Sequence, residues 1–474
     1  FFAIEREKES FSKSFITGWI FGVTFFTGTC WWLTFAPINY GGVPTILAYI
    51  LLLGATSVVG LYPALFGGLF SLILKRFGTW GILSAPFLWT AIEFLRFWTT
   101  GNNWNSIAYS QAFNPIYLSF ASFGGIYLVG FLVVLFSAAF SNELIRKYSG
   151  QKISHPAWLI SLSVAFLPVY YFAFIQNYSP KSNKFDTNVI AIQPNVPMSN
   201  IKYDEWKKLR ERHVQLAERE LEKLKDNPQP KIVIFPESPM NFGWTQDRDF
   251  QEFLGEFTKR NNVQVLFNAS EPSANQNYYN SAVLVNEQGR KIAQYDKIHL
   301  VPFGEYVPLP EPLASLMPTM VGNFEIGKEF DIVPLGDVKA GIMICFESHF
   351  PTLSRQFVLN GADVLVEMTN DGYLGPTPIL RQHLASAVFR AVETNRPVLR
   401  VTNVGITGYI NERGEVIEPS QAYTEDSRIW SISKSDGSQT NYVKYGDWFA
   451  WLCSIVSLGL LLFGFWKKKA ETRL

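Results

Sequence analysis

A carboxylate, an ammonium and a thiol each stand at the end of a strand-like run. Glu237 follows Ile232-Val-Ile-Phe-Pro236, Lys297 lies in Tyr295-Asp-Lys-Ile-His-Leu-Val-Pro-Phe-Gly-Glu-Tyr306, and Cys345 closes Lys339-Ala-Gly-Ile-Met-Ile344. A thiol is weakly nucleophilic until it loses its proton. A carboxylate can take that proton, and an ammonium can stabilise both the thiolate and the oxyanion formed on attack at a carbonyl. Singly, each has a plainer role, because a cysteine ending a buried strand is more often a small core residue and a lone Glu or Lys in a loop is usually solvated. Jointly they suggest covalent acyl transfer. His349 and His383 leave a Cys–His dyad as an alternative, but a dyad gives Glu237 and Lys297 no task. No Cys or His pair near the site has zinc-ligand spacing.

The elements that must position these groups alternate in type. Thr187 to Gln193, Lys231 to Phe235, Val263 to Asn268, Ser281 to Asn286, Lys339 to Ile344, Val364 to Glu367 and Val398 to Thr402 are short β-rich runs. Tyr203 to Leu224, Asp249 to Asn261, Pro351 to Leu359 and Ile379 to Thr394 read as helices between them. Such alternation predicts an α/β domain with helix-covered sheets, and the carboxyl ends of strands are where such folds build sites.

Around that domain the chain is written for lipid. Only 17% of the 474 residues are charged, and they are unevenly placed: Ser14 to Leu74 and Phe97 to Asn142 contain no Asp, Glu, Lys, Arg or His. A span needs about 20 apolar residues, which predicts six: roughly 15–35, 43–74 (bent or broken near Gly60 to Pro63), 81–98, 115–140, 156–175 and 448–466. Arg6, Lys8 and Lys13, Lys75-Arg76, Arg146, Lys147 and Lys152, and Lys467 to Lys469 then fall on one face. The positive-inside rule makes that face cytoplasmic. The expected organisation is a transmembrane helical domain over 1–180, an extracytoplasmic catalytic domain over 181–446, and a C-terminal helix with a basic cytoplasmic tail over 447–474. Arg96 runs against the charge rule, and Glu93, one turn earlier, is expected to pair with it. Cys30 and Cys453 lie in apolar spans, so Cys345 is the one thiol of the exterior segment. A net charge of +1 and the absence of a basic stripe exclude a nucleic-acid partner. The chain opens on Phe1 with no signal-peptide pattern.

The motifs carry a resemblance. Pro236-Glu237-Ser238, Tyr295-Asp-Lys297, His299-Leu-Val-Pro-Phe-Gly-Glu305-Tyr-Val-Pro308 and Ile344-Cys345-Phe-Glu347 resemble the nitrilase (carbon-nitrogen hydrolase) superfamily, and within it the apolipoprotein N-acyltransferases. Thr369-Asn-Asp371, Gln382-His383, Arg390-Ala391, Asn395-Arg-Pro397 and Thr402-Asn403 fit as well. The resemblance implies a nitrilase-like α-β-β-α sandwich inserted between the transmembrane helices of a polytopic membrane domain, and a Glu237-Lys297-Cys345 triad. It also implies an acyl chain passing from a membrane phospholipid through a Cys345 thioester to the α-amino group of a diacylglyceryl-cysteine apolipoprotein, in the bacterial inner membrane, with no cofactor or metal. Phe346 is implied as an oxyanion donor through its backbone N–H. Glu305 and Glu347 are expected to orient or charge-balance the triad. Trp244, within the apolar stretch Met240 to Trp244, and Leu316 and Met317, within Leu309 to Phe324, are expected to meet lipid. The chain departs from the family in Phe346 for Tyr, Tyr203 for Trp and Gln193-Pro194-Asn195 for a Gln-Gly sequence; two further N-terminal membrane helices are usual in it. The alternatives are a membrane-tethered amidase, which needs no apolar entrance; a transporter, which would place more polar groups at mid-span; and a relative of the same fold lacking acyltransferase activity, which an intact triad argues against.

Overall fold

Two compact units make up the computed structural model: Phe1–Ser179 with Thr440–Leu474, and Pro180–Gln439. Residues 1–148, 163, 186–198, 203–237, 242–275, 277–307 and 324–471 are described.

The first unit is helical: α1 (Phe11–Cys30), α2 (Thr45–Val59), α3 (Leu61–Phe77), α4 (Ala85–Thr100), α5 (Ala121–Tyr148) and α10 (Trp448–Glu471) are its principal helices. The buried face of α1 is a row of small residues one turn apart, Ser14, Gly18 and Gly22. A Cβ on Gly18 would stand 2.2 Å from the Pro63 carbonyl oxygen, and one on Gly67 2.4 Å from that of Ser14. Helices that gain no hydrophobic drive from lipid associate by such backbone approach. The expected break falls at Gly60, which separates α2 from α3 while keeping helical angles; Pro63 sits in the first turn of α3, where its missing N–H costs nothing.

Six spans are not all found at full length. Three helical stretches among the described residues, Phe11–Asn39, Thr45–Phe77 and Ala121–Tyr148, are long and apolar enough to cross a membrane, and Trp448–Gly464 is a shorter apolar helix. The stretch 78–84 winds as a 3₁₀ turn, leaving α4 only 16 residues, and the expected span at 156–175 lies outside the described residues. The Glu93–Arg96 pairing is also corrected. Arg96 Nη1 donates to the Trp104 carbonyl at 2.8 Å, while Glu93 accepts from Ser106 Oγ at 2.9 Å and Ile107 N at 3.0 Å. Both charges fasten the loop that follows α4, whose free backbone groups outweigh a contact between side chains on one helix.

The second unit holds β1 (Thr187–Gln193), α6 (Tyr203–Lys223), β2 (Lys231–Ile234), α7 (Arg248–Asn261), β3 (Gln264–Pro272), β4 (Tyr278–Val285), β5 (Lys291–Asp296), β6 (Phe324–Glu325), β7 (Ile332–Leu335), β8 (Val338–Ile344), α8 (Pro351–Leu359), β9 (Val364–Thr369), α9 (Ile379–Thr394), β10 (Val398–Thr402), β11 (Gly408–Ile410), β12 (Val416–Ile417) and β13 (Asp426–Ile432). One sheet runs β13-β1-β2-β3-β4-β5, with β6 beside β4; the other runs β12-β11-β10-β9-β8-β7. Strands β1, β2 and β3 are mutually parallel, as are β8, β9 and β10. Every residue of β1 and β9 is buried, as strands covered on both faces must be. Alternate residues Ile190, Ile192, Val233, Phe235, Val265 and Phe267 pack with Val214, Ala217, Leu254 and Phe257 of α6 and α7. Between the sheets, Thr187 Oγ1 donates to the Leu335 carbonyl at 3.1 Å and Thr402 Oγ1 to Gln193 Oε1 at 3.1 Å. This is the expected nitrilase-type sandwich.

Candidate active site

The parallel strand ends bring the three expected residues together. Glu237 lies three residues past β2, Lys297 directly follows β5, and Cys345 directly follows β8. Lys297 Nζ stands 4.0 Å from Glu237 Oε1, and the Glu237 carboxyl and the Cys345 thiol are close enough to shift each other's proton affinity. Burial holds the Glu237 pKa above the ordinary carboxylate value; Lys297 opposes that rise and Glu305 adds to it. The thiol is pushed well up, first by burial and then by the Glu237 charge, with Lys297 and the nearby Thr369 hydroxyl pulling the other way. Lys297 is buried yet raised, because the carboxylates of Glu305 and Glu237 outweigh its desolvation. At rest the sulfur is therefore a thiol and the lysine an ammonium.

Glu305 is the partner that lets Lys297 stay charged. Both of its oxygens lie 2.9 Å from Nζ, Oε1 also accepts from Asn280 Nδ2 at 2.6 Å, and Oε2 accepts from Val301 N at 2.8 Å. The same Asn280 nitrogen reaches Glu237 Oε1 at 3.2 Å. One amide thus holds two carboxylates apart at a fixed spacing, with the ammonium between them.

Glu347 does a different job from charge balance. Its Oε1 accepts from Tyr295 OH at 2.8 Å, Ile298 N at 2.8 Å and His299 N at 3.0 Å, and its Oε2 accepts from Ile344 N at 2.8 Å. The carboxylate ties the end of β8 to the segment carrying Lys297, fixing nucleophile and ammonium relative to each other. Burial raises it to about 7 against the pull of those donors. Cys345 itself has φ +53°, a left-handed conformation that a non-glycine residue adopts at a cost of about 1–3 kcal/mol when its surroundings enforce it. The chain then turns through a single 3₁₀ turn, Cys345–His349, into α8.

The other expected residues are placed less centrally. The Phe346 ring packs on Phe350 and His349 at 5.1 and 5.7 Å. Tyr203 opens α6, and its side chain lies outside the described residues, as do Leu316 and Met317. Trp244 is buried against Phe267 in the core under α7, with its backbone N–H on Glu271. His383 donates to no thiol: its Nε2 meets the Cys345 carbonyl at 3.0 Å. Asn280 and Tyr373 were not singled out by sequence, and Tyr295 was named only as part of the Tyr295-Asp-Lys297 motif. The Tyr373 phenol, raised first by burial and then by Glu237, Cys345 and Glu305, stands in the field of the site. Only the strand pairing that sets Asn280 beside Lys297, through Lys297 N to the Asn280 carbonyl at 2.9 Å, reveals its place.

A buried Glu-Lys-Cys cluster on a two-sheet sandwich defines a carbon-nitrogen hydrolase type of domain, and residues 191–442 match the carbon-nitrogen hydrolase family model. Residues 1–139 match the apolipoprotein N-acyltransferase N-terminal domain. Apolipoprotein N-acyltransferases from Geobacter metallireducens and Allorhizobium ampelinum are 30% and 28% identical, over 93% and 92% of this chain and 85% and 83% of theirs. Among solved structures, Saccharomyces cerevisiae Nit3, of the nitrilase superfamily, aligns over 54% of this chain and 93% of its own at 18% identity and a TM-score of 0.41. The chain belongs to the apolipoprotein N-acyltransferase family.

Proposed function

We propose that this membrane protein carries an acyl chain from a phospholipid to the α-amino group of a diacylglyceryl-cysteine apolipoprotein by way of a Cys345 thioester. Glu237 takes the thiol proton as sulfur attacks the ester carbonyl. Lys297 and the Phe346 N–H receive the oxyanion, and collapse of the tetrahedral adduct breaks the ester C–O bond. The departing lysophospholipid oxygen takes the proton from Glu237. In the second half, the amine attacks the thioester, its proton passes to Glu237, the C–S bond breaks, and the thiolate regains that proton. A thiol held up by burial cannot ionise alone near neutral pH, so the gathering of Glu237 and Lys297 beside Cys345 is the observation that carries this reading.

The basic clusters support a topology with residues 181–446 outside the cytoplasmic membrane; a cytoplasm-only reporter fused within that segment should be silent. The apolar stretch Leu309 to Phe324 is assigned to acyl-chain contact on its composition. To test the function, the purified protein is given a phospholipid with a labelled acyl chain and a diacylglyceryl-cysteine peptide. Amide-linked label on the peptide is expected, and none with Cys345→Ala. Release of free fatty acid with no transfer would instead describe a hydrolase.

A further inference from the structure

Beneath the nucleophile lies a charged cluster to which the acyl-transfer steps give no role. Glu367 lies within β9, Asp371 follows that strand, His383 is on α9 and Arg400 on β10, and all four are buried. Arg400 bridges the two carboxylates, Nη1 to Glu367 Oε2 at 2.5 Å and Nη2 to Asp371 Oδ2 at 2.8 Å. His383 Nδ1 lies 2.7 Å from Asp371 Oδ1, and its Nε2 lies 3.0 Å from the Cys345 carbonyl and 3.1 Å from Glu367 Oε1. Both ring nitrogens therefore face acceptors. A neutral imidazole could serve only one of them; the imidazolium serves both. Two cations against two carboxylates also leave the cluster balanced, which burial demands.

The carbonyl that His383 holds belongs to the peptide joining Cys345 to Phe346. That peptide is trans, as every peptide among the described residues is, and in a planar trans unit the C=O and the N–H point in opposite directions. Anchoring the Cys345 oxygen from below fixes the aim of the Phe346 N–H to the other side. A charged donor on the oxygen also polarises the peptide and makes its N–H a stronger donor. The positive φ of Cys345 shows that this peptide is held by its surroundings and not by local preference.

We propose that His383 is a positioning residue for acyl transfer: by gripping the Cys345 carbonyl it sets both the aim and the strength of the Phe346 N–H toward the oxyanion. The inference rests on Cys345 being the nucleophile. Its test separates two reactions of one sulfur. Acylation by a phospholipid ester forms an oxyanion, whereas alkylation by iodoacetamide expels iodide directly from carbon and forms none.

His383→Ala should take up acyl label at Cys345 about a hundredfold more slowly, the scale of a misplaced reacting geometry, with its alkylation rate unchanged. His383→Gln can still donate an amide N–H to the carbonyl, without the charge, and should recover part of the loss. In the wild type, acylation but not alkylation should decline as pH rises through about 9, where His383, raised by Asp371 against its desolvation, loses its proton. The other groups facing the ring are Glu367 and Arg400, charged throughout, and His349 at 5.1 Å, which burial keeps neutral. A folded His383→Ala that acylates at the wild-type rate overturns the proposal. So does His383→Gln losing acylation and alkylation in parallel, and that variant decides the matter if the alanine variant does not fold. If wild-type Cys345 is alkylated but never acylated, it is the nucleophile reading of the preceding section that fails.

Discussion

Replacing Glu305 by Gln should move the acid limb of the pH–rate profile the wrong way for a simple loss of function. Glu305 and Glu237 both accept from one Asn280 nitrogen, at 2.6 and 3.2 Å, so their oxygens lie within about 6 Å, where an effective dielectric near 20 makes the repulsion about 3 kcal/mol. Removing that charge lowers the Glu237 pKa, because Glu305 is one of the groups that raise it. Lys297, losing the partner at 2.9 Å and keeping the one at 4.0 Å, pulls in the same direction. A base weakened in this way slows proton removal from the thiol roughly tenfold, since rate follows base strength only in part. Stability should fall by about 3 kcal/mol, the low end for breaking a buried ion pair, because Glu237 stands in for the lost carboxylate. The assay is the rate of Cys345 thioester formation against pH, with denaturant unfolding alongside. Wild-type activity should fall on the acid side above the usual carboxylate range, since burial raises Glu237; in Glu305→Gln the limb should lie at lower pH with a lower plateau. A limb that stays in place or moves to higher pH would refute the electrostatic coupling.

Glu347→Ala strands Ile344, Ile298 and His299 N–H groups and the Tyr295 hydroxyl, so unfolding free energy should drop by at least about 3 kcal/mol, and a smaller loss in denaturant titration would show that the tie is not needed. Tyr373→Phe should slow thioester formation about a hundredfold, the low end for one proton-transfer or oxyanion contact, while leaving the thermal midpoint alone; an unchanged rate removes Tyr373 from the site. The His383 pKa is raised from 6.5 to about 9, so its contribution to stability is fully present below 6.5 and is lost as pH rises through about 9, amounting to about 3 kcal/mol. His383→Gln should lack that slope, and an equal slope in both proteins would assign it elsewhere.

How much of this was legible follows from which signals are local. The runs Thr187 to Gln193 and Val398 to Thr402 are strands over their full length, and Pro351 to Leu359 and Ile379 to Thr394 are helices with the ends read from sequence, because each is a buried apolar run or a 3.6-residue pattern with clear borders. β5, Lys-Ile-Ala-Gln-Tyr-Asp, and β13, Asp-Ser-Arg-Ile-Trp-Ser-Ile, were missed; both are half-buried outer strands whose polar residues blur a two-residue period. The reactive residues could be named because chemistry restricts nucleophile, base and cation to few residue types. Asn280 could not: an amide between two tyrosines and a serine has no signature until β4 and β5 pair. Glu93 and Arg96 mislead for the opposite reason, since helical spacing allows a contact that the loop's backbone groups take over.

The central claim is that Cys345 carries the acyl chain. Incubating the full-length protein with a single-species phospholipid, quenching at acid pH and measuring the mass of the peptide that contains Cys345 tests it directly. The account predicts an added acyl mass at Cys345 that hydroxylamine removes and that the Glu237→Gln variant does not acquire. An unmodified Cys345 in protein that still N-acylates a diacylglyceryl-cysteine peptide would contradict it.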